Sequence, residues 1–136
     1  MITFMDRSDL RPPASVPADE FTGQSHDAPG PMRIDILTFD GCPNAGPTRA
    51  LVREAVRLEA VLAEMHFIDV PNLDLAERLR FLGSPSVRVD GEDIEPSAKH
   101  QTEYGLMCRT YSYGTDATGT PTIAMIRAAI RRHIEA

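Results

Sequence analysis

Gly83-Ser84-Pro85-Ser86-Val87-Arg88-Val89-Asp90-Gly91-Glu92-Asp93-Ile94-Glu95 is the stretch that decides the fold. Asp90-Gly91 is the strongest short-range hairpin signal, because a tight turn matched to strand twist needs positive φ at both central residues. Ser86–Val89 and Glu92–Glu95 flank it, so two antiparallel strands are expected. Upstream, Gly83 suits the stop of a helix over Asp74–Leu82, in which Asp74 and Glu77 have capping-box spacing. Pro85 falls between that stop and the strand. The Ser84-Pro85 bond is therefore expected to be cis, a form taken by only about 5–6% of X–Pro bonds in folded proteins.

Working outward, Arg33–Phe39 alternates through Ile34, Ile36 and Leu37 as a strand. Thr48–Glu64 places Leu51, Ala55, Leu58 and Leu62 at helical spacing. Met65–Val70 reads as a second strand. At the C-terminal end, Thr120 is a good N-cap and Pro121 suits the first helical position. Ile123, Ile126, Ile130 and Ile134 then form one stripe. The predicted order is β-α-β-α-β-β-α, a small α/β sandwich with a long insertion, Pro96–Gly119, before the last helix.

The chain has 136 residues, a size for one domain with a real core, and a formal net charge of −6. Twenty acids against 14 bases argue against a general nucleic-acid binder, which shows a clustered basic face. No apolar run approaches the roughly 20 residues that span a bilayer, so no membrane partner is expected. The N-terminus lacks the apolar core of a signal peptide, and a cytoplasmic location is expected. Two cysteines cannot build a disulfide scaffold, and the four histidines (His26, His66, His100, His133) are too dispersed for a ligand set. No phosphate loop, His-Glu-x-x-His or nucleophile elbow is present.

Composition shifts near residue 32. Residues 7–31 are rich in Pro, Gly, Asp and Ser, too polar to offset their ordering entropy, so 1–31 is expected to be a disordered tail. The domain is then 32–136, and Met32, opening the first strand, is an alternative start.

The predicted element order, Cys42 at the first strand–helix junction and Pro85 before the third strand resemble the thioredoxin-like superfamily. The motifs that carry this are Gly41-Cys42-Pro43-Asn44 and Gly83-Ser84-Pro85-Ser86-Val87. More narrowly, Pro85–Ile94 is similar to small bacterial proteins labelled thioredoxin-like or alkylmercury lyase-like. The resemblance implies that Ser84-Pro85 faces the thiol of Cys42. Ala45 stands where a thioredoxin has its second cysteine, so a disulfide within that motif cannot form.

Cys42 is the first candidate. A thiol before a helix N-terminus meets unpaired backbone N–H groups, which favour the thiolate that attacks disulfides or binds soft metals. The alternative is a small buried hydrophobe. Cys108 is the second. Strand 1 ends at Cys42, and the insertion leaves the sheet from that same edge, so Cys108 can fold over Cys42; a loop cysteine packed among Tyr104, Leu106, Met107, Tyr111 and Tyr113 is the competing reading. Those tyrosines suggest an aromatic lid over the thiols, with Arg109 stabilising a thiolate or an anionic substrate group.

Substrate is expected to meet Pro43, Asn44, Ser84, Pro85, Arg109 and Tyr111. Asp93 and Glu95 alternate on the last strand and are expected to face solvent. Of the histidines only His100 falls in the insertion. The leading expectation is thiol–disulfide exchange, or soft-metal binding, by Cys42 with Cys108, acting on a small-molecule or protein thiol partner. It needs no resident cofactor; a soft metal such as mercury would be substrate. The alternatives are organomercurial cleavage with Asp40 as the acid, and a non-catalytic adaptor.

Overall fold

Strand β1, Met32–Thr38, lies inside the sheet and is paired on both sides. Along one edge it runs parallel to β2, Ala63–Asp69, from Met32 opposite Ala63 to Thr38 opposite Asp69. Along the other it is antiparallel to β3, Ser86–Val89, which pairs in turn with the short β4, Glu92–Asp93. The result is a mixed α/β arrangement with a four-stranded mixed sheet in the order β2-β1-β3-β4. Among the described residues three α-helices accompany it: α1, Ala45–Glu59; α2, Leu73–Arg78; and α3, Ile123–Glu135. The computed structural model describes residues 30–113 and 116–135; the tail expected over 1–31 lies outside these, apart from Gly30 and Pro31.

Alternation sorts the core onto two faces of the sheet. Ile34 and Ile36 of β1 join Val87 and Val89 of β3 beneath Val52 and Ala55 of α1 and Ile126, Ala129 and Ile130 of α3. Leu37, on the opposite face, packs with Val70, Ala76 and Phe81 under α2. Each such aliphatic or aromatic side chain contributes about 1.5–3 kcal/mol when fully buried, so the larger face dominates stability.

Asp90 (φ 50) and Gly91 (φ 88) both take positive φ, as the hairpin signal requires. The strand after it is shorter than expected. The Asp93 carboxylate accepts from Glu95 N at 2.9 Å, an Asx-type turn that ends β4 at Asp93.

The helices differ from expectation mainly at their ends. α1 starts at Ala45 and stops at Glu59, where Ala60 takes a left-handed φ of 54 and closes the helix on Val56 and Arg57 carbonyls. The buried stripe is accordingly Thr48, Val52 and Ala55, while Leu58 and Leu62 are 40% and 77% exposed. α2 is capped by Asn72, whose side chain accepts from Leu75 N at 2.9 Å, rather than by an Asp74–Glu77 box. It ends at Arg78, so Gly83 is not its stop. α3 is capped by Thr122, which accepts from Met125 N at 3.1 Å, because Thr120 is held by Thr118 Oγ1 through its carbonyl. Its stripe keeps Ile126 and Ile130 inside, but Ile134 is half exposed.

The insertion is not structureless. It contains a 3₁₀ helix, Pro96–His100, and a hairpin of β5, Tyr111–Tyr113, with β6, Asp116–Thr118.

Candidate functional site

β1 delivers the chain to a tight turn at the carboxyl end of the sheet. Cys42 N donates to Phe39 O at 3.2 Å, and Gly41 supplies the positive φ (88) the turn needs. Cys42 is half-buried and lies two residues ahead of Asn44, the N-cap of α1; Ala45 N donates to its carbonyl at 3.3 Å. The thiol thus sits in the turn before the helix. Pro43 is exposed. Asn44, an expected substrate contact, makes no side-chain cap; its amide lies against Gly119, where an added Cβ would collide with Nδ2.

Ser84 is the residue through which the two cysteine segments meet. It is fully buried, and its peptide bond to the buried Pro85 is cis, as expected. Its Oγ accepts from Phe39 N at 3.4 Å, which ties it to the start of the Cys42 turn. Its backbone N donates to Met107 O at 2.8 Å, and its carbonyl accepts from Arg109 N at 2.9 Å. Those two bonds straddle Cys108, which stands opposite Ser84 as a parallel bridge. The insertion therefore returns to the sheet edge where β1 ends, and both segments contact the Ser84 strand start. Cys108 is exposed, and both cysteines are free thiols.

Gly83 makes this clasp sterically feasible. At φ +115 it approaches the 107–109 segment so closely that a Cβ would stand 3.0 Å from Met107 O and 3.1 Å from Arg109 Cβ. The sequence signal read as a helix stop is in fact a close backbone approach.

Arg109 does not face the thiols as a free cation. Its Nη1 donates to Ser86 Oγ at 3.0 Å and Asp93 Oδ2 at 2.7 Å, and Nη2 to Asp93 Oδ1 at 2.8 Å and Glu95 Oε1 at 2.9 Å. It is 6% exposed and lies 4.5 Å over the Tyr111 ring. Burial alone would lower its pKa, but the bonds to Asp93, the field of Tyr111 and the Glu95 bond outweigh it and raise the pKa. Asp93 and Glu95, expected in solvent, are 13% and 21% exposed in this cluster. Ser86, also unforeseen, donates to Gly83 O at 2.6 Å.

Tyr111 is likewise structural: fully buried, its hydroxyl donates to Pro85 O at 2.6 Å. Burial pushes its pKa up, against an opposing pull from Arg109. The tyrosines do not form one lid, since Tyr104 lines a different cleft, beside Arg88 and Lys99, and Tyr113's side chain lies outside the described ones. Leu106 and Met107 are exposed next to Cys108.

Asp40 is exposed at the Cys42 turn and lines a shallow depression of about 630 Å³ with Phe39, Asp69, Val70, Pro71 and Leu106. His100 is exposed at the end of the 3₁₀ helix. Among the described residues no group of three or more His, Cys, Asp or Glu side chains is placed to hold a metal ion. None of their helices is long and apolar enough to cross a membrane.

The class that fold and site define is thus a mixed α/β protein with two free thiols on segments joined at one sheet end. No protein-family model matches the chain, and no curated protein or solved structure does either.

Proposed function

We propose that the protein exchanges thiols and disulfides through Cys42, with Cys108 as the resolving thiol, on a thioredoxin-like arrangement. The observation that carries this reading is the Ser84 clasp. Ser84 binds the start of the Cys42 turn through its hydroxyl and the flanks of Cys108 through its backbone. Support for the finer topology comes from the sheet order β2-β1-β3-β4, with the β1-α1-β2 unit parallel and β3-β4 antiparallel.

Cys42 thiolate attacks one sulfur of a substrate disulfide, forming a mixed disulfide and releasing the other sulfur as a thiolate, which takes up a proton. Cys108 thiolate then attacks the Cys42 sulfur. The second substrate thiol leaves, the protein gains a Cys42–Cys108 disulfide, and two electrons have passed to the substrate. Half burial of Cys42 and exposure of Cys108 suit a protected nucleophile and an accessible resolver. The same pair of sulfurs offers a two-coordinate site to a soft metal ion as substrate.

The test is mass spectrometry of reduced protein treated with hydroxyethyl disulfide. Wild type is expected to end two hydrogens lighter with no adduct, and Cys108→Ser to stop at an adduct on Cys42. Independent adducts on both cysteines of the wild type, with no internal link, would overturn the proposal.

A further inference from the structure

A second cleft lies away from the thiols. It has a volume of about 470 Å³, and neither cysteine, Ser84 nor Pro85 lines it. Its walls come from the chain after α2, from β3 and β4, and from the 3₁₀ helix with Tyr104 and Arg132. That volume is in the range of small-molecule sites, roughly 300–1,000 Å³.

Charge distinguishes this cleft. Four cations line it: Arg80, Arg88, Lys99 and Arg132. Three carboxylates also line it, yet each is already engaged. Asp93 and Glu95 are held by the buried Arg109, and Glu92 lies 3.3 Å from His133 Nε2. Among the described residues, no carboxylate is within ion-pair distance of any of the four cleft cations. In a chain of net charge −6 this is a local reversal of sign.

Arg88 is the most telling of the four. One nitrogen, Nη2, donates to the carbonyls of Leu79 at 2.7 Å and Arg80 at 2.9 Å, which fixes the guanidinium in place. Its remaining nitrogens have no protein partner among the described residues and are not buried away from solvent. Burial pushes the pKa of Arg88 down, with Asp93 and Asp35 opposing from beyond contact distance. A partly desolvated, immobilised guanidinium with free donors is a ready fork for an oxyanion.

We infer that this cleft binds a small polyanion, with one acid group on the fixed guanidinium of Arg88 and further acid groups met by the other lining cations, Arg80, Lys99 and Arg132. Four cations around a cleft of about 470 Å³ suit more than one acid group, so the ligand carries at least two carboxylates or phosphates. Tyr104, half-buried on the cleft wall, offers a ring face or hydroxyl to the rest of the ligand.

The test is amide-resolved NMR titration of the full chain with pyrophosphate and, separately, citrate, against acetate at matched ionic strength. One of the two polyanions is expected to shift Arg88, Lys99 and Tyr104 amides at least about tenfold more tightly than acetate, the gain of a second engaged acid group. The arm that binds tells phosphate from carboxylate. Lys99→Glu combined with Arg80→Glu, both at exposed positions, is expected to abolish that preference with the spectrum otherwise intact. Arg88→Gln should do the same if it folds. Equal, weak binding of all three anions, or a polyanion preference that survives Lys99→Glu/Arg80→Glu, would overturn the proposal.

Discussion

Replacing Arg109 by methionine tests the energetic centre of the insertion. The side chain is 6% exposed and makes four hydrogen bonds to three side chains, two of them carboxylates that are themselves 13% and 21% exposed. Methionine fills much of the volume but leaves Asp93 and Glu95 as uncompensated, partly buried charges. Removing one member of such a cluster costs about 3–5 kcal/mol. Total stability of a domain is about 5–15 kcal/mol, so the loss is a large fraction of it. With a urea dependence of about 1.5 kcal/mol per molar, the midpoint falls by roughly 2–3 M, read by far-ultraviolet circular dichroism. Arg109→Lys keeps the charge without the planar fork and should fall between the two. The triple variant Arg109→Met/Asp93→Leu/Glu95→Leu, which removes the charges with their partner, should recover to within about 1.5 kcal/mol of wild type. A loss under about 1 kcal/mol for Arg109→Met alone would refute the reasoning, because that is the value of a solvated surface pair.

Other outcomes follow from single contacts. Tyr111→Phe removes the bond to Pro85 O and leaves a buried acceptor, costing about 1–3 kcal/mol in the same urea assay. Gly83→Ala forces a Cβ against Met107 O and a disfavoured φ of +115; a cost on the order of 1–3 kcal/mol is expected, with faster labelling of Cys108 as the clasp loosens. Gly119→Ala displaces the Asn44 amide, and Asn44→Ala should relieve most of that penalty, a coupling that a double-mutant cycle measures directly. Hydrogen bonds from Arg131 and Arg127 hold the Glu59 carboxyl below its ordinary pKa. Its contribution is therefore complete above the unfolded value of about 4.3 and is lost as pH falls through the lower folded value. The stability gap between wild type and Glu59→Gln should accordingly close on acidification.

The sheet was legible because its signals are local. Asp90-Gly91 fixed a turn that needs positive φ, and Ile34, Ile36, Val87 and Val89 alternated at strand period. The meeting of both cysteine segments at one edge followed from topology, since an antiparallel third strand must start where β1 ends. Arg109 escaped because its partners Asp93 and Glu95 lie 16 and 14 residues away across a segment without periodicity. Alternation placed Asp93 and Glu95 opposite Ile94 correctly, but nothing in it announced a cover over that face. Leu62 misled because the helix was stopped early by a left-handed Ala60, a conformation rare outside Gly and Asn, while Leu58, still inside the helix, lies off the buried Thr48, Val52 and Ala55 stripe.

Among the described residues, β2 pairs with β1 on one side and with no strand on the other, so the outward-facing backbone groups of this seven-residue strand have no strand partner there. An open strand of that length is a template on which another chain can be laid down. Its own side chains carry chemical protection. Glu64, His66 and Asp69 put charge or polarity along it, and Arg49 and Arg53 lie 5.0 and 5.5 Å from the half-exposed Phe67 ring. Replacing Glu64 and Asp69 by threonine would leave the core untouched and yet turn this border into a growth front, so that crowding and storage concentration, rather than folding, would govern the useful lifetime of the protein.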